Sequence, residues 1–490
     1  MKAEKSLALE STGDIALDKI LGGGIPALSV VVIAGEPGSG KTVLTLQMLF
    51  NAARQGKKCL YFTTLSEPAM KVIRYMQMFD FFDADLLDKN VTFVDLGNLV
   101  LNGAEKTLEA IKLRVETEEP TFVAIDSFRA VGELLRAQGG VGAARPFVYD
   151  LAVQTTSWGA TTLLVGEYTR EEFPAFAEFS VADGIIRLGS ERQELTSVRE
   201  LEVLKMRGAG YISGRHFFDI TKRGVEFYPR VSAPAGLQNK GRPELSDRAV
   251  IGIEGLDGLL GGGIPRSTTT VIQGGTGSGK TMVSLRFLVE GANRGEKGVL
   301  FTLEETPDQL RVIARSLGWD LAALEAKGLL VIRYTSPVEL STDRFLYEAI
   351  NLVRDFGARR AVFDSLTTMA LSVSSDRRYK EMVYAISKHL SAEGVTLLMT
   401  VESQQLLGTP HLTGQGVSFI ADNLIQLRYF EMGGRLERAI SVLKARGIKH
   451  ESELRIVQIG SDGVRVIPGK FKDLRGVLTG LPTRDLPEPK

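Results

Sequence analysis

The sequence predicts an α/β protein with two tandem domains, each a mostly parallel β-sheet flanked by helices. Two observations support this fold class. The glycine-rich pattern G-x-x-x-x-G-K-[ST] occurs twice, at residues 35–42 (GEPGSGKT) and 274–281 (GGTGSGKT), and Gly35 and Gly274 are 239 positions apart. Each copy also follows an apolar run typical of a buried strand, at 28–34 and 268–273, and precedes apolar residues at helical spacing. The chain therefore contains one strand, loop and helix unit twice.

Each glycine-rich loop matches the P-loop pattern. In such a loop the backbone N–H groups surround the phosphates, the lysine reaches the β- and γ-phosphates, and the threonine hydroxyl meets Mg²⁺. A single match could be a chance turn, but two matches in the same strand and helix context argue against that alternative. The predicted nucleotide-binding residues are Gly38, Ser39, Gly40, Lys41, Thr42, Gly277, Ser278, Gly279, Lys280 and Thr281.

The repeat extends well beyond the P-loops, which indicates two homologous domains. The further pairs are 17–26 (LDKILGGGIP) with 256–265 (LDGLLGGGIP), 122–127 (FVAIDS) with 360–365 (RAVFDS), and 204–208 (LKMRG) with 443–447 (LKARG). Strand-like runs at 161–165 and 395–400 add members to each sheet. We predict domains at 1–232 and 248–467, a linker at 233–247 rich in Pro and Gly, and an extended tail at 468–490.

An aspartate ends one apolar strand in each half, at Asp126 and Asp364. At the carboxyl end of a strand beside a P-loop, such an aspartate can hold the water shell of Mg²⁺, although a bare strand-end aspartate is more often a turn residue. With a P-loop upstream in each half, we predict two Mg²⁺ sites. They are formed by Thr42 with Asp126 and by Thr281 with Asp364.

Composition excludes several other functions. The 490 residues carry 59 basic and 59 acidic side chains, so no overall charge points to nucleic acid or a membrane surface. The single cysteine, Cys59, lies in an apolar run, and the four histidines are scattered without metal-ligand spacing, which argues against zinc chemistry and a Ser-His-Asp site. Without a leader pattern or an apolar run of membrane-spanning length, the expected location is the cytoplasm.

Taken together, these repeated motifs resemble the KaiC family, the double-domain ATPases of the cyanobacterial circadian clock. Four further segments are similar to that family, at residues 159–162, 316–321, 438–440 and 482–484. The resemblance covers nearly the whole chain. It implies two RecA-like P-loop NTPase domains that bind ATP and Mg²⁺.

The resemblance also implies a two-tiered hexameric ring with ATP held between neighbouring subunits. One subunit supplies the P-loop, and the next supplies a Lys-x-Arg pair that reaches the γ-phosphate. In this sequence those pairs are Lys205 with Arg207 and Lys444 with Arg446. From the residues alone, the exposed rim of a hairpin is the favoured interpretation of each pair, and it is the resemblance that favours a role at the γ-phosphate.

ATP hydrolysis requires a carboxylate that orients or deprotonates water. The second half offers Glu304 and Glu305 directly after the strand at 299–303, which matches the paired glutamates of the family. The corresponding first-half segment, 63–68 (TTLSEP), retains only Glu67. One glutamate is either replaced by Ser66 or displaced by a one-residue insertion, so we predict altered or weaker hydrolysis in the first half.

Autophosphorylation is the other activity that the resemblance implies, at an adjacent Ser-Thr pair in the second domain. The pair corresponds to Ser418 and Phe419, so one hydroxyl remains and an ordered two-site cycle is excluded at these positions. Ser418 is the candidate acceptor with Glu304 as base, and Thr413 is a weaker candidate. The alternative is that Ser418 is only an interface serine. The short C-terminal tail argues against regulation by the activator that the clock protein meets there.

Three functions remain open from the sequence. The first is a hexameric ATPase and Ser/Thr autokinase that acts as a regulatory switch with protein partners. The second is a RecA-like or helicase-like motor, which requires stimulation by single-stranded DNA. The third is a nucleotide-gated scaffold that assembles with ATP and turns it over negligibly.

Overall fold

A computed structural model describes residues 7–64, 68–139, 144–157, 159–193, 196–231, 246–373, 375–403, 419–432, 435–460, 463–468, 474–475 and 483–484. The chain divides into two compact units, Met1–Arg230 and Val231–Lys490. Since residues 232–245 lie outside the described ranges, the linker bounds and the domain limits drawn from the sequence remain predictions.

The first unit contains eleven strands and eight α-helices within the described residues. They are β1 (Leu9–Glu10), α1 (Ile15–Ile20), β2 (Ile25–Pro26), β3 (Val30–Gly35), α2 (Lys41–Arg54), β4 (Cys59–Thr63), α3 (Ala69–Met76), β5 (Val91–Asp95), α4 (Gly97–Leu101), α5 (Ala104–Glu118), β6 (Phe122–Asp126), α6 (Phe128–Gly139), α7 (Ala144–Ser157), β7 (Thr161–Glu167), α8 (Ala177–Val181), β8 (Gly184–Gln193), β9 (Thr196–Met206), β10 (Arg215–Thr221) and β11 (Gly224–Tyr228).

Nine of these strands form one sheet in the order β11-β10-β9-β8-β3-β7-β6-β4-β5. The six strands from β8 to β5 pair in parallel, and β8 to β11 continue as an antiparallel meander. The two remaining strands, β1 and β2, pair with each other. The predicted mostly parallel sheet is confirmed.

The second unit repeats this arrangement. Its elements are β12 (Arg248–Ala249), α9 (Glu254–Leu259), β13 (Ile264–Pro265), β14 (Thr269–Gly274), α10 (Lys280–Asn293), β15 (Gly298–Thr302), α11 (Pro307–Ser316), α12 (Leu321–Ala326), β16 (Leu330–Tyr334), α13 (Thr342–Phe356), β17 (Arg360–Asp364), α14 (Leu366–Leu371), α15 (Asp376–Ala392), β18 (Thr396–Glu402), β19 (Asn423–Met432), β20 (Arg435–Ala445), β21 (Arg455–Gly460), β22 (Gly463–Pro468), β23 (Leu474–Arg475) and β24 (Thr483–Arg484).

The second sheet has the order β16-β15-β17-β18-β14-β19-β20-β21-β22, which is the topology of the first sheet. Its core lies on both faces, because successive side chains of a strand point to opposite sides. Val271 of β14 belongs to one buried cluster and Ile272 to the other. In the tail, β23 and β24 pair in antiparallel fashion.

The strand before each P-loop is central and fully buried, which fits its β-branched composition (Val30 to Ile33 in β3). The strand β3 ends at a glycine for a steric reason. A Cβ on Gly35 would lie 2.2 Å from the Leu188 carbonyl oxygen and 2.7 Å from Ser39 Oγ. The backbone at Gly35 therefore passes close to that of Leu188, at the point where the chain leaves the sheet and enters the P-loop.

No described helix is long and apolar enough to span a lipid bilayer.

Candidate nucleotide sites

The first P-loop connects β3 to α2 at the carboxyl edge of the first sheet. Gly38 and Gly40 adopt φ angles of +74° and +95°, a left-handed backbone that favours glycine. The Lys41 ammonium, at the start of α2, donates a 2.9 Å hydrogen bond to the Glu36 carbonyl oxygen. Burial lowers the pKa of Lys41, while Glu167, Asp126 and Glu36 act in the opposite direction. A buried cation thus faces a loop of backbone N–H groups at a helix N-terminus, which suits phosphate.

The second P-loop repeats this geometry between β14 and α10. Gly277 and Gly279 have φ angles of +70° and +107°. Lys280 Nζ donates to the carbonyl oxygens of Gly274 and Gly275, each at 3.0 Å. The two loops therefore hold their lysines in the same way, against loop carbonyls.

In the first site the predicted metal residues lie together. Thr42 Oγ1 donates a 2.7 Å hydrogen bond to Asp126 Oδ2, and the buried Tyr61 hydroxyl donates to the same oxygen at 2.6 Å. The sequence analysis did not identify Tyr61 as a site residue. Its position follows from the parallel pairing of β4 with β6, which places Thr63 opposite Asp126.

The second site surrounds its aspartate differently. Thr400, on the adjacent strand β18, donates a short hydrogen bond to Asp364 Oδ1. Burial raises the pKa of the Asp364 carboxyl, whereas hydrogen bonds from Thr400 and Thr281 act to lower it. In the position equivalent to Tyr61, 239 residues further along the chain, the second half has Leu300.

The two candidate glutamates of the second site have different surroundings. Glu304 Oε1 accepts hydrogen bonds from Ser365 Oγ at 2.5 Å and from Thr368 Oγ1. Glu305 Oε2 is buried and has no hydrogen-bond partner in the described part of the chain. Burial raises the pKa of Glu305, the Asp364 and Glu304 carboxylates raise it further, and Lys280 partly opposes them. Glu305 is thus the carboxylate that interacts electrostatically with both Lys280 of the P-loop and Asp364.

Mg²⁺ and nucleotide phosphates fit this set of groups. The unpartnered Glu305 oxygen and the Asp364 carboxyl are oxygen donors of the kind that Mg²⁺ or its waters prefer. No cluster of three or more His, Cys, Asp or Glu with metal-binding geometry occurs among the described residues. The site therefore offers the few protein oxygens typical of a Mg²⁺ that is also held by substrate phosphates.

Glu67 lies in the segment 65–67, outside the described residues. The flanking elements nevertheless bear on its register. In the second half, the first buried residue of the following helix, Leu310, comes eight residues after Thr302; in the first half, Val72 comes nine residues after Thr63. The first connection is therefore one residue longer. This difference favours the displacement alternative over simple replacement at Ser66.

A strand-end glutamate beside each P-loop was not identified from the sequence. Parallel pairing places Glu167 next to Gly35 and Glu402 next to Gly274. Glu402 accepts a short hydrogen bond from Thr276 within the second P-loop. The sequence does show that each of the predicted strands at 161–165 and 395–400 is followed closely by a glutamate. Placing these glutamates beside the P-loops, however, requires the order of the strands in the sheet.

The Lys-x-Arg pairs lie at the other end of each sheet. Arg207 pairs with Asp183 at 3.4 Å, and the Asp183 N–H donates to the carbonyl of Val30, at the start of β3. The P-loop follows the opposite end of β3, five residues further along, or about 17 Å for an extended strand. The structure therefore does not bring Lys205 and Arg207 to the P-loop of their own domain.

The second half has the same separation. Lys444 Nζ donates to the Ala421 carbonyl at 2.6 Å, and Arg446 lies 3.8 Å from Asp422, which precedes β19. The side chains of Arg207 and Arg446 are 61% and 57% exposed, so both guanidinium groups can reach another molecule. The candidate phosphoacceptors Ser418 and Thr413 lie outside the described residues.

Comparison with known proteins gives a consistent result. Residues 11–232 and 249–470 each match the protein-family model described as "ATPase: KaiC". The circadian clock oscillator protein KaiC of Nostoc sp. is 29% identical over 482 residues, covering 95% of this chain and 90% of its own. The protein of the same name from Synechococcus elongatus is 28% identical over 479 residues, with coverage of 95% and 90%.

Proposed function

Because this chain belongs to the KaiC family of ATPases, we propose that it hydrolyses ATP at two sites, each completed by a neighbouring subunit. One subunit supplies the P-loop lysine, threonine and aspartate. The next supplies the Lys-x-Arg pair of the corresponding half. The observation that carries this proposal is that in each half the P-loop follows the carboxyl end of the central strand, β3 or β14, whereas the Lys-x-Arg pair lies near the start of that strand.

A contact between opposite ends of the same domain is heterologous, since it joins two different surfaces. Repeated around an axis, such a contact forms a ring when the rotation between subunits closes. We propose a hexamer, as the family resemblance implies. Fixed positive charge from Lys205 and Arg207, or from Lys444 and Arg446, would then stabilise the charge that develops on the transferred phosphoryl group.

Within each site we assign the Mg²⁺ contacts to Thr42 with Asp126 and to Thr281 with Asp364. Bound Mg²⁺ supplies charge neutralisation at the phosphates. In the second half, we assign to Glu305 the orientation of the attacking water. Its Oε2 is buried and has no partner among the described residues, and its carboxylate interacts electrostatically with Lys280 and Asp364, which supports this assignment. Glu304 is held against the start of α14 by the hydroxyls of Ser365 and Thr368.

We propose that the two sites are unequal. The first has a single glutamate, Glu67, in a connection one residue longer than that of the second, so hydrolysis there is slower. The second has both Glu304 and Glu305.

Autophosphorylation at Ser418 is proposed as the further activity of the second half, and it makes the protein a phosphorylation-dependent switch. In this step the Ser418 hydroxyl oxygen forms a bond to the γ-phosphorus, its proton passes to Glu304, and the bond to the β-phosphate oxygen breaks to release ADP. A hydroxyl-anchored glutamate such as Glu304 is a suitable base, because its orientation is fixed before the acceptor arrives.

Isotope transfer and site-selective variants test these assignments. Lys41→Ala and Lys280→Ala should each remove part of the phosphate release, with the larger loss for Lys280→Ala, and the double variant should release none. Incubation with γ-labelled ATP and Mg²⁺ should label the wild-type protein and not Ser418→Ala. Phosphate release without label on the protein would refute the kinase and leave the ATPase.

The same assay separates the alternatives. Strong, salt-sensitive stimulation of hydrolysis by single-stranded DNA would favour the helicase-like motor. ATP-dependent assembly with negligible phosphate release would favour the scaffold. Light scattering of the chain with Mg²⁺ and ATP should give the mass of six subunits.

A further inference from the structure

The repeated segment LD-x-x-LGGGIP is not explained by nucleotide binding. In the first half, the three glycines at 22–24 form a turn between α1 and β2. We refer to these three residues, and to residues 261–263 in the second half, as the glycine turn. Gly22, Gly23 and Gly24 have φ angles of +73°, +124° and +138°. The Gly23 N–H donates to the Asp18 carbonyl at 2.7 Å, and the Asp18 carboxylate accepts from the Thr12 N–H at 2.8 Å. Asp18 therefore links the turn to the segment that precedes α1.

The loop that carries Lys205 and Arg207 rests on this turn. We define the Lys-x-Arg loop as residues 205–212, with residues 444–451 as its counterpart. One end is held by the Arg207 N–H, which donates to the Asp183 carbonyl at 2.9 Å. The other end is held by the Ile212 N–H, which donates to the Ile20 carbonyl at 2.8 Å.

Between these two anchors the contact is too close for any side chain. A Cβ on Gly22 would lie 1.8 Å from the Gly210 carbonyl oxygen. The backbone of the glycine turn and that of the Lys-x-Arg loop are thus in direct contact. Glycine is required at position 22 both for its positive φ and for this approach.

The second half repeats each contact at the same offset of 239 residues. The Glu451 N–H donates to the Leu259 carbonyl at 2.9 Å, and the Gly262 N–H donates to the Asp257 carbonyl at 2.7 Å. A Cβ on Gly261 would lie 3.0 Å from the Lys449 carbonyl oxygen, a looser contact than in the first half. Two independent copies therefore join the same turn to the same loop.

We propose that the glycine turn is a positioning platform that sets where the Lys-x-Arg loop meets the neighbouring subunit. This inference rests on the proposed function, in which that loop acts on a neighbour's nucleotide. Gly22 and Gly261 are positioning residues in this arrangement. They act through the arginine and lysine and contact no nucleotide themselves.

Gly22→Ala provides the test. A Cβ contact below 3.0 Å is not sustained, so the Gly210 oxygen must move by at least about 1.2 Å from its 1.8 Å position. Misplacement of a catalytic group by about 1 Å can lower the rate by roughly 100-fold. With the second P-loop silenced by Lys280→Ala, we expect Gly22→Ala to lower the remaining hydrolysis at least about tenfold.

Gly56→Ala is the matched control. Gly56 has a φ of +83°, and a Cβ added there would meet nothing within 4 Å, so alanine introduces the same backbone strain without the contact. We expect Gly56→Ala to keep the parent rate within about twofold. Circular dichroism and nucleotide binding to the P-loop should match for both variants, since the close contact of Gly22 is with Gly210 rather than with the phosphate loop.

Mixing variants separates positioning from a general structural effect. Every subunit in these mixtures also carries Lys280→Ala, so that only the first site is measured. Gly22→Ala subunits retain the first P-loop, and Lys41→Ala subunits retain a platform, so mixing them before ATP is added creates interfaces with both parts intact. Activity should reappear. Arg207→Ala mixed with Lys41→Ala is the reference, and its failure to complement would refute the proposed function itself.

If the reference pair complements, two results overturn the platform. One is full activity of Gly22→Ala alone, and the other is a loss that mixing does not restore. Gly261→Ala in the Lys41→Ala background is an independent second test with the same design at the second site, paired with Arg446→Ala and Lys280→Ala. Its expected loss is smaller, because the contact there is 3.0 Å.

Discussion

Replacing Glu305 by glutamine should stabilise the nucleotide-free protein while lowering its activity. The Glu305 carboxylate lies near Asp364 and Glu304, and its Oε2 is buried without a hydrogen-bond partner among the described residues. Glutamine keeps the shape and removes the charge. Glutamine therefore avoids the desolvation of a buried charge and the repulsion from Asp364 and Glu304 that the carboxylate meets. Desolvation of a buried group without partners costs about 1–3 kcal/mol or more when it is charged, so we expect a gain of about 1–3 kcal/mol in the free energy of unfolding.

For domains of this size, about 1 kcal/mol corresponds to roughly 2–4 °C in the unfolding midpoint. The expected shift for Glu305→Gln is therefore upward by about 2–12 °C in the absence of nucleotide. The pKa of Glu305 is raised in the folded state. The protonated carboxyl, which predominates below the unfolded pKa, is therefore compatible with the fold, and stability is lost as pH rises through the folded pKa and the carboxyl ionises. The advantage of glutamine should accordingly be larger at about pH 7.5 than at about pH 4.5.

Glu304→Gln is the matched control because the two residues are adjacent and differ in their partners. Glu304 already accepts hydrogen bonds from Ser365 and Thr368, so its replacement should bring no gain in stability. Thermal unfolding followed by circular dichroism at about pH 7.5 and 4.5 gives the stability, and phosphate release in the Lys41→Ala background gives the activity. A Glu305→Gln protein that melts below the wild type at the higher pH would refute the reasoning.

Three further predictions follow from single contacts. Isothermal titration with a non-hydrolysable ATP analogue and Mg²⁺ should give two sites per wild-type chain and one in Lys41→Ala or Lys280→Ala; two sites in either variant would contradict the assignment. Arg360→Met should cost about 3–5 kcal/mol in urea unfolding, because Arg360 is fully buried and its Nε lies 2.7 Å from the Glu296 carboxylate. Burial raises the pKa of Glu296, but Arg266 and Arg360 lower it to about 2, so its contribution should be present above pH 4.5 and be lost as pH falls toward 2. Tyr61→Phe should lower the free energy of unfolding by about 1.5–3 kcal/mol through loss of a charge-assisted hydrogen bond, whereas Tyr149→Phe, at an exposed position, should have no measurable effect.

The fold and the phosphate loops could be predicted because their signals are local. The β-branched run of β3, the glycine-rich loop and the apolar spacing of α2 follow one another directly along the chain and specify one unit. Asp126 and Asp364 could be predicted as well, since the carboxyl ends of parallel strands meet at one edge of a sheet. Predicting the positions of these two aspartates requires only the pattern of strands along the chain, and not the order of the strands in the sheet.

Other site residues depend on strand order, which the local sequence does not specify. Tyr61 reaches Asp126 because β4 pairs with β6, and Glu402 reaches Thr276 because β18 pairs with β14. The register around Glu67 depends on a one-residue difference in length between two connections, which becomes visible only once the strand before and the helix after each connection are placed. Ser418 stays a prediction from sequence.

The role of the Lys-x-Arg pairs could not be inferred from the residues alone, for a different reason. The motif could be found in the sequence, but its residues alone favoured an exposed hairpin rim. The placement of Lys205 and Arg207 beside the start of β3 excludes action on the P-loop of their own domain in this conformation. That separation is a tertiary property of the folded sheet.

The most direct test is an experimental structure of the full chain with Mg²⁺ and a non-hydrolysable ATP analogue. We expect nucleotide in both P-loops, with the γ-phosphate of the second site contacted by Lys280 of one subunit and by Lys444 and Arg446 of the next. Nucleotide enclosed by residues of a single subunit, with the Lys-x-Arg pairs facing solvent, would contradict the account.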